Sequence, residues 1–415
     1  MRVRRSGAPI LRAACSALAA LAPLACAKIE PPPGGPPDAR PPGLMATIPD
    51  SLAVYPDFSG DVEFLFNETV SEGGSPNMGL GTGDLERLVI LSPSDKVPKV
   101  RWKRSRVVVR PAEGWQPDRV YRVQLLPGVM DIRRNRSDSS TVVTFTTGAP
   151  LPTHQLTGRV WDWTTGRPAP LALVEALLLP DSLRYRLLAD STGRFVLTPI
   201  PAGAYVVFGV LDQNRNLRFD PREAWDSVPV PADSTGAGEL WVFPHDSVGP
   251  RLSRAAVTDS LTATLTFTQP LDPTQRFSVD AVRVLRLPDS TRVAVLSLLS
   301  KPLHDSAYPA PAPPVDTTKP AGPKPGLALR PTADTVKPTR QPLETALLLR
   351  VGAAWAPGTT YLVEVDSVRN ANRAAANVRG PLEVPKAKAD SATGAAKDSA
   401  ATPAPQRPPP RPPNQ

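Results

Sequence analysis

The stretch from Asp212 to Glu223 carries the side chains whose spacing points most clearly to chemistry. Counted from Asp212 as position 1, side-chain oxygens fall at positions 1, 3, 5, 9 and 12, which is the spacing by which a twelve-residue loop wraps Ca²⁺. The carbonyl of Arg218 is available at position 7. The spacing predicts a weak structural Ca²⁺ site with five side-chain ligands: Asp212, Asn214, Asn216, Asp220 and Glu223.

A second interpretation of this stretch remains open. The glycine that the sharp turn at position 6 requires is replaced by Leu217, and three arginines add positive charge to the loop: Arg215, Arg218 and Arg222. No flanking helices are evident. A long hairpin loop held by Asx turns, with its acids paired to its arginines, accounts for the same residues.

Residues that could catalyse a reaction are scarce. The chain has three histidines, His154, His245 and His304, and none pairs with another at metal-ligand spacing. No nucleophile elbow, zinc-protease motif or phosphate-binding loop is present. We therefore expect no catalytic residues and no enzyme activity. Three tryptophans could form a sugar-stacking platform or could pack in a core: Trp161, Trp163 and Trp241.

The N-terminus determines where such sites would be displayed. Four arginines and no acid occur in the first 25 residues, which end in an apolar run from Ala13 to Ala25 that is too short to span a bilayer. Residues 1–25 are therefore expected to be a lipoprotein signal peptide, with lipidation at Cys26. Three positions before this cysteine, where a lipoprotein signal usually has an aliphatic residue, the chain has Pro23. An ordinary cleaved signal is therefore the alternative. Removal of Cys15 with the signal would leave one thiol.

The charge of the chain argues against nucleic acid as a partner. The formal net charge is +9, and it falls to about +5 once the arginines of the signal are removed. The one dense basic group runs from Arg101 to Arg106 and alternates with apolar residues, which is typical of the exposed face of a strand.

Three proline-rich stretches separate or interrupt the rest. We expect a stiff stalk over residues 26–45, a disordered insert over 301–342 and a disordered tail over 385–415, because their composition cannot bury enough apolar surface to offset the entropy of ordering. A glycine-rich insert over 71–84 is expected to be a mobile loop or a binding loop.

Alternating apolar residues predict strands in the remaining segments. Val62–Phe66, Arg106–Arg110 and Tyr121–Leu125 each alternate, and turn residues separate such runs. The sequence therefore predicts an all-β fold of tandem antiparallel β-sandwiches with proline-rich disordered linkers. The three sandwiches are expected over residues 46–148, 155–248 and 249–384.

An internal repeat relates the first and last of these segments. The sequence from Trp115 to Val123 aligns with that from Trp355 to Val363, with Trp, Pro, Tyr and Val in register. Chance similarity among strands is the alternative. A tyrosine in this position is expected to cap backbone groups at a corner of the sandwich.

These residues resemble known families. The first and third segments resemble the bacterial Ig-like domains of surface-layer proteins, on the runs 64–68 and 265–269 and the two Trp-x-Pro-x-x-x-Tyr-x-Val motifs. The middle segment resembles the carboxypeptidase regulatory-like, transthyretin-type (prealbumin-like) sandwich, on Gly158-Arg159-Val160, the run 165–168, Asp190–Phe195 and Pro201–Tyr205. The third segment departs most, because its long insert interrupts the strands. Such resemblances imply a fold more than a function.

The sequence therefore predicts a bacterial, non-catalytic cell-envelope lipoprotein whose sandwiches serve as a spacer or as a docking or adhesion surface. Its partners are expected to be the outer membrane, through the lipid anchor, and an envelope protein or polysaccharide, on the periplasmic or surface face. The alternatives are a surface-displayed carbohydrate-binding protein and an accessory subunit of an envelope hydrolase or transporter. Exposure of Trp161 and Trp163 on one face would favour sugar binding, and burial of both would favour the spacer.

Overall fold

The computed structural model describes residues 38–72, 80–83, 85–309 and 338–386. The predicted signal peptide, Cys26 and nearly all of the tail lie outside this range. The chain divides into two compact units, residues 1–151 and 152–415. Across the described residues, no helix has the length and apolar character needed to cross a membrane.

The first unit is built from strands whose side chains alternate between core and solvent. In the third strand, for example, Val62, Phe64 and Phe66 are buried while Glu63 and Leu65 are half-buried, as the period of two in a strand dictates. A 3-10 helix covers Leu85–Leu88. The strands are β1 (Leu44–Ile48), β2 (Ala53–Val54), β3 (Val62–Phe66), β4 (Ser71–Glu72), β5 (Leu80–Gly81), β6 (Val89–Ser92), β7 (Lys99–Lys103), β8 (Arg106–Arg110), β9 (Val120–Leu125) and β10 (Thr141–Thr146).

These strands form two four-stranded sheets, ordered β1-β3-β8-β7 and β2-β10-β9-β6, and a short β4-β5 pair. We call them the first sandwich. The basic group lies on β7, β8 and the turn between them, as predicted, where Arg101 contacts Asp61 at 3.3 Å and Arg106 contacts Glu63 at 3.0 Å.

The second unit begins with the middle sandwich. One eight-stranded sheet runs in the order β12-β11-β18-β17-β16-β13-β14, and β15 adds to β11. Trp161, Trp241 and Tyr185 are almost fully buried within it. Its strands are β11 (His154–Asp162), β12 (Arg167–Pro168), β13 (Leu173–Leu178), β14 (Leu183–Leu188), β15 (Arg194–Ile200), β16 (Tyr205–Val210), β17 (Ala224–Val230) and β18 (Gly236–Pro244).

The third sandwich completes the second unit. Its sheet runs in the order β22-β21-β25-β26-β19-β20-β24-β23, with a 3-10 helix at Val279–Ala281 and the helix α1 at Lys301–Ala307. Its strands are β19 (Leu252–Val257), β20 (Thr262–Phe267), β21 (Val282–Arg286), β22 (Thr291–Val293), β23 (Val295–Leu299), β24 (Ala346–Val351), β25 (Thr360–Arg369) and β26 (Ala375–Glu383).

The first and third sandwiches share one strand plan. The order β1-β3-β8-β7 matches β19-β20-β24-β23, and β10-β9-β6 matches β26-β25-β21. A bulge interrupts the first strand pair at the same place in both, between Leu44 and Ala46 and between Leu252 and Arg254. The predicted tyrosine corners are present: the Gln116 amide donates to the Tyr121 hydroxyl at 2.8 Å, and the Ala356 amide donates to the Tyr361 hydroxyl at 3.1 Å.

The all-β prediction is confirmed, and two linker predictions need correction. The stalk predicted over 26–45 ends earlier, because β1 begins at Leu44 and pairs with Phe66. The insert predicted as disordered over 301–342 is ordered at both ends. It begins with α1, where a proline in the first turn favours a helix start. Residues 338–343, which we call the strap, pack on the middle sandwich, as the contacts below establish.

Candidate functional site

The loop from Asp212 to Glu223 connects β16 to β17, and its first residue organises it. Asp212 Oδ1 accepts a hydrogen bond from the Asn216 amide at 3.1 Å, and Oδ2 accepts one from the Leu217 amide at 2.8 Å. The carboxylate therefore draws positions 5 and 6 of the loop back over position 1. An aspartate is suited to this task because its side chain is short and accepts on both oxygens.

The other predicted side-chain ligands also stabilise turns. The side-chain carbonyl of Asn214 accepts from the Asn216 amide at 2.9 Å, and that of Asn216 accepts from the Arg218 amide at 2.8 Å. Asp220 Oδ1 accepts from the Arg222 amide at 2.9 Å. Each of these oxygens keeps a further lone pair. The Asx turns of the alternative interpretation are thus present, and they leave acceptor capacity for a cation.

Glu223 closes the loop and is the most buried of the five. The residue is 8% exposed, and its Oε1 accepts from the amides of Gln213 at 2.9 Å and Asn214 at 3.3 Å. Its Oε2 is buried without a hydrogen-bond partner. Burial first, and then the charges of Asp212 and Asp220, raise the pKa of Glu223.

The turn at position 6 forms without glycine. Leu217 has a φ of 59° and Arg215 a φ of 55°, both in the left-handed region that costs a non-glycine residue about 1–2 kcal/mol. The missing glycine therefore does not prevent the sharp turn. The two amides that hydrogen-bond to Asp212 help to hold this backbone.

A row of aromatic rings, which the sequence did not predict, anchors the loop. Phe219 at position 8 packs against Phe208 at 5.2 Å and against Trp225 at 5.4 Å between ring centroids. His245 stacks on Trp225 at 4.0 Å and on Phe243 at 4.2 Å. The pKa of His245 is lowered, chiefly by burial. All members of this row are half-buried: Trp163, Phe208, Phe219, Trp225, Phe243 and His245.

Of the three tryptophans proposed as a sugar platform, two lie in the core. Trp161 and Trp241 are 0% and 1% exposed and stack on each other at 5.4 Å. The Trp161 Nε1 donates to Glu239 Oε1 at 3.1 Å.

Trp163 is half-buried, and the strap covers it. Its Nε1 donates to the Gln341 carbonyl and its own carbonyl accepts from the Leu343 amide, both at 3.0 Å. The guanidinium of Arg340 lies 5.4 Å from the Trp163 ring, within the range of a cation–π contact. The strap thus ties the middle sandwich to the segment that leads into β24.

The strap also borders a cavity of about 580 Å³ in the second unit. Trp163 and Arg340 line one part of it, and residues of the third sandwich line the rest, Arg276, Phe277 and Leu303 among them.

The histidines stand apart from one another. His154 stacks on Tyr205 at 6.3 Å, and His304 is buried in α1 against Tyr308 at 5.1 Å. Among the described residues, the acidic group whose ligand atoms lie within 4.8 Å of one another is in the first sandwich and contains no histidine: Asp38, Glu68 and Asp131.

Comparison with protein families places one known domain in this chain. The model of the bacterial Ig-like domain matches residues 38–147, about a quarter of the chain, so the first sandwich is an Ig-like domain. The match begins at Asp38, which agrees with the early end of the stalk. No curated protein matches the chain.

Several solved structures resemble the chain at low identity. The N-terminal part of the bacterial S-layer protein SbsC is 11% identical, with a TM-score of 0.21 over 34% of this chain. The MG0-NIE-MG1 domains of Escherichia coli alpha-2-macroglobulin are 10% identical, with a TM-score of 0.19 over 61% of this chain and 86% of theirs. The major pilin subunit of Bacillus cereus is 9% identical, with a TM-score of 0.16 over 46% of this chain and 67% of its own.

The chain spans 24% of the length of the S-layer structure.

Proposed function

We propose that the chain is a non-catalytic lipoprotein of the cell envelope, whose sandwiches act as a spacer and as a docking surface for another envelope component. The middle domain of this proposal is of the carboxypeptidase regulatory-like type, and the anchor is a lipid on Cys26 in the outer membrane.

One observation carries the proposal: the three tryptophans considered as a sugar-stacking platform make their contacts within the fold. Trp161 and Trp241 fill the core, and the strap covers Trp163. A fully desolvated tryptophan pair stabilises a sandwich and cannot stack on a sugar in solution. Together with an Ig-like domain over 38–147, these contacts support a structural role at the cell surface.

The anchor is tested on the full chain, produced in a bacterium with a lipoprotein pathway and labelled with an alkyne palmitate analogue. The wild type is expected to carry the label and to sediment with the membrane fraction. Cys26→Ser is expected to be unlabelled and released. Cys15→Ser, the matched control, should behave as the wild type because that cysteine leaves with the signal. Label retained by Cys26→Ser would contradict the anchor.

The docking role is tested with the acylated wild type, by cross-linking and affinity isolation from detergent-solubilised envelope. A defined envelope component is expected to co-purify with the wild type and to be lost when the Cys26→Ser chain is used. Recovery of the wild type alone would count against docking.

The aromatic row favours a second candidate, carbohydrate binding. Its rings are half-buried rather than fully packed, and exposed ring faces stack on sugars. Affinity electrophoresis through gels that contain envelope polysaccharide is expected to retard the wild type more than Trp225→Ala. Trp102→Ala, in the first sandwich, serves as the control. Equal mobility of the wild type with and without polysaccharide removes this candidate.

A further inference from the structure

We propose that the loop between β16 and β17 binds one Ca²⁺ ion in the middle sandwich. The ligands are the Arg218 carbonyl and side-chain oxygens of the five residues at positions 1, 3, 5, 9 and 12: Asp212, Asn214, Asn216, Asp220 and Glu223. This inference goes beyond the envelope role, and either could fail without the other.

The unpartnered oxygen of Glu223 is the observation on which the site rests. More than nine-tenths of the residue is buried, and Oε2 has no hydrogen-bond partner. A buried carboxylate oxygen without a donor is costly, because burial removes the water that would solvate it. A cation bound at Oε2 would offset that cost.

The other oxygen of Glu223 ties this side chain to the start of the loop. Its Oε1 is held by the amides of positions 2 and 3, Gln213 and Asn214. Asp212 and Asp220 are the first and ninth positions of the same loop. The loop thus carries three carboxylates, and a divalent cation that drew them together would offset their mutual repulsion.

The donor set selects the ion. All of the ligands are oxygens of carboxylates, side-chain amides or a backbone carbonyl, which suit hard cations rather than Zn²⁺ or Cu²⁺. Six or more oxygens from a twelve-residue loop are the coordination that Ca²⁺ accepts, whereas Mg²⁺ requires a near-ideal octahedron and retains several waters.

The affinity is expected to be weak. Arg215 and Arg222 are exposed on the same loop and oppose the approach of a cation. We therefore expect a dissociation constant of about 0.1–1 mM, the range of extracellular Ca²⁺ modules. Because the ligands extend from the end of β16 to the start of β17, the ion would cross-link these two strands.

The first test uses the wild-type full chain and hydrogen exchange measured by mass spectrometry, in EDTA or in about 5 mM Ca²⁺. Peptides covering residues 211–224 are expected to exchange several-fold more slowly with Ca²⁺. Peptides covering residues 126–136, which include Asp131 of the other acidic group, are expected to be unchanged. Protection confined to 126–136, or protection nowhere, would overturn the proposal.

The second test measures Ca²⁺ binding by calorimetry in variants of the full chain. Glu223→Gln and Asp212→Asn are expected to weaken binding by about tenfold or more, since each removes a charged ligand. Two controls should stay within about twofold of the wild type: Asp190→Asn, which changes an aspartate that makes the same kind of turn, and Glu68→Gln in the other acidic group. Binding that survives Glu223→Gln and is lost in Glu68→Gln would refute the site.

Discussion

The first and third sandwiches share the order of seven matched strands, the same bulge and the same tyrosine corner, but they fill the corner differently. In the first sandwich Trp115 donates from Nε1 to the Gly60 carbonyl at 2.8 Å. In the third, the Nε1 of Trp355 is buried without a partner. A shared backbone plan therefore tolerates different internal partners.

The cores differ in the number of rings. Five rings meet in the first sandwich, where Phe145 pairs across the sheet with Tyr121 and contacts each of the others at ring-centroid distances from 4.8 to 6.5 Å. In the third sandwich the residue paired with Tyr361 is Leu382, and the corner retains the Trp355–Tyr361 pair. The rings of the first core are Tyr55, Phe58, Trp115, Tyr121 and Phe145.

The β9–β10 loop of the first sandwich and the β25–β26 loop of the third share one hydrogen bond, but a charged residue accepts it in the first and a neutral one in the third. Asp131 in the first and Asn370 in the third each accept, through Oδ1, from the amide four residues later, at 2.8 and 2.9 Å. Asn370 also donates from Nδ2 to the carbonyls of Asp246 and Val248 and to Gln269 Oε1. In the first sandwich that donor is replaced by Asn135, which donates to Asp131 Oδ2 and to the Asp38 carbonyl.

The two halves of the repeat therefore share a backbone geometry but place their hydrogen-bond donors on different residues. In the third sandwich the side-chain amide of Asn370 both closes the loop and donates to the neighbouring carbonyls. In the first, those two tasks are divided between Asp131 and Asn135, which leaves an acidic group beside the loop.

The largest loss of stability should come from truncating Phe145, the ring that contacts the four other rings of the first core. Phe145→Ala is expected to cost about 4 kcal/mol, and its counterpart Leu382→Ala about 3 kcal/mol, from lost burial and the cavity left behind. The free energy of local unfolding, from hydrogen exchange of β9 and of β25 in the full chain, measures the two separately. Equal costs would mean that the additional rings contribute nothing to the first core.

The second-largest loss of stability should come from replacing Asn370 with the acid found at the matching position of the first sandwich. Asn370→Asp would point a buried carboxylate at three acceptors, and it is expected to destabilise the third sandwich by about 3 kcal/mol. Asn377→Asp is the control: this exposed residue accepts from the Ser367 amide through Oδ1, an aspartate keeps that acceptor, and stability should change by less than about 0.5 kcal/mol. Thermal unfolding of the second unit, followed by calorimetry, measures both. Unchanged stability in Asn370→Asp would show that the third sandwich does not depend on the hydrogen bonds from this side-chain amide to the three acceptors.

The tyrosine corners should respond alike. Tyr121→Phe and Tyr361→Phe each leave one backbone amide without its acceptor and are expected to cost about 1 kcal/mol. Hydrogen exchange at Gln116 and Ala356 reports the loss directly. A cost in one sandwich and none in the other would contradict the equivalence of the corners.

The smallest effect should appear in the pH dependence of the first sandwich. Burial first, and then the charges of Asp131 and Asp38, raise the pKa of Glu68. A carboxyl group with a raised folded-state pKa destabilises the fold when ionised, and that cost is relieved as the pH falls through the raised value. Asp131→Asn is expected to lower the pKa of Glu68 and to reduce the stability gained on acidification.

NMR titration of the Glu68 carboxyl measures this shift. Asp138→Asn, an exposed aspartate in the same connection, is the control and should leave the titration unchanged. An unaltered pKa in Asp131→Asn would show that the two carboxylates do not interact.

The sequence alone determined the fold class and the repeat, because both depend on local patterns. Alternation places Val62, Phe64 and Phe66 on one face of a strand whatever surrounds it, and the Trp-x-Pro-x-x-x-Tyr motif fixes a turn followed by a strand. The spacing from Asp212 to Glu223 likewise predicted which residues share one loop.

Only the tertiary structure decided which side chains are enclosed and by what. The sequence could not show that Trp161 and Trp241 stack in a core, that Trp163 lies under a strap about 180 residues later in the chain, or that Glu223 has a buried oxygen without a partner. These outcomes depend on contacts between residues far apart in sequence, and local pattern carries no information about such contacts. For that reason, only the tertiary structure shows which oxygens of the loop accept hydrogen bonds and which one is buried without a partner.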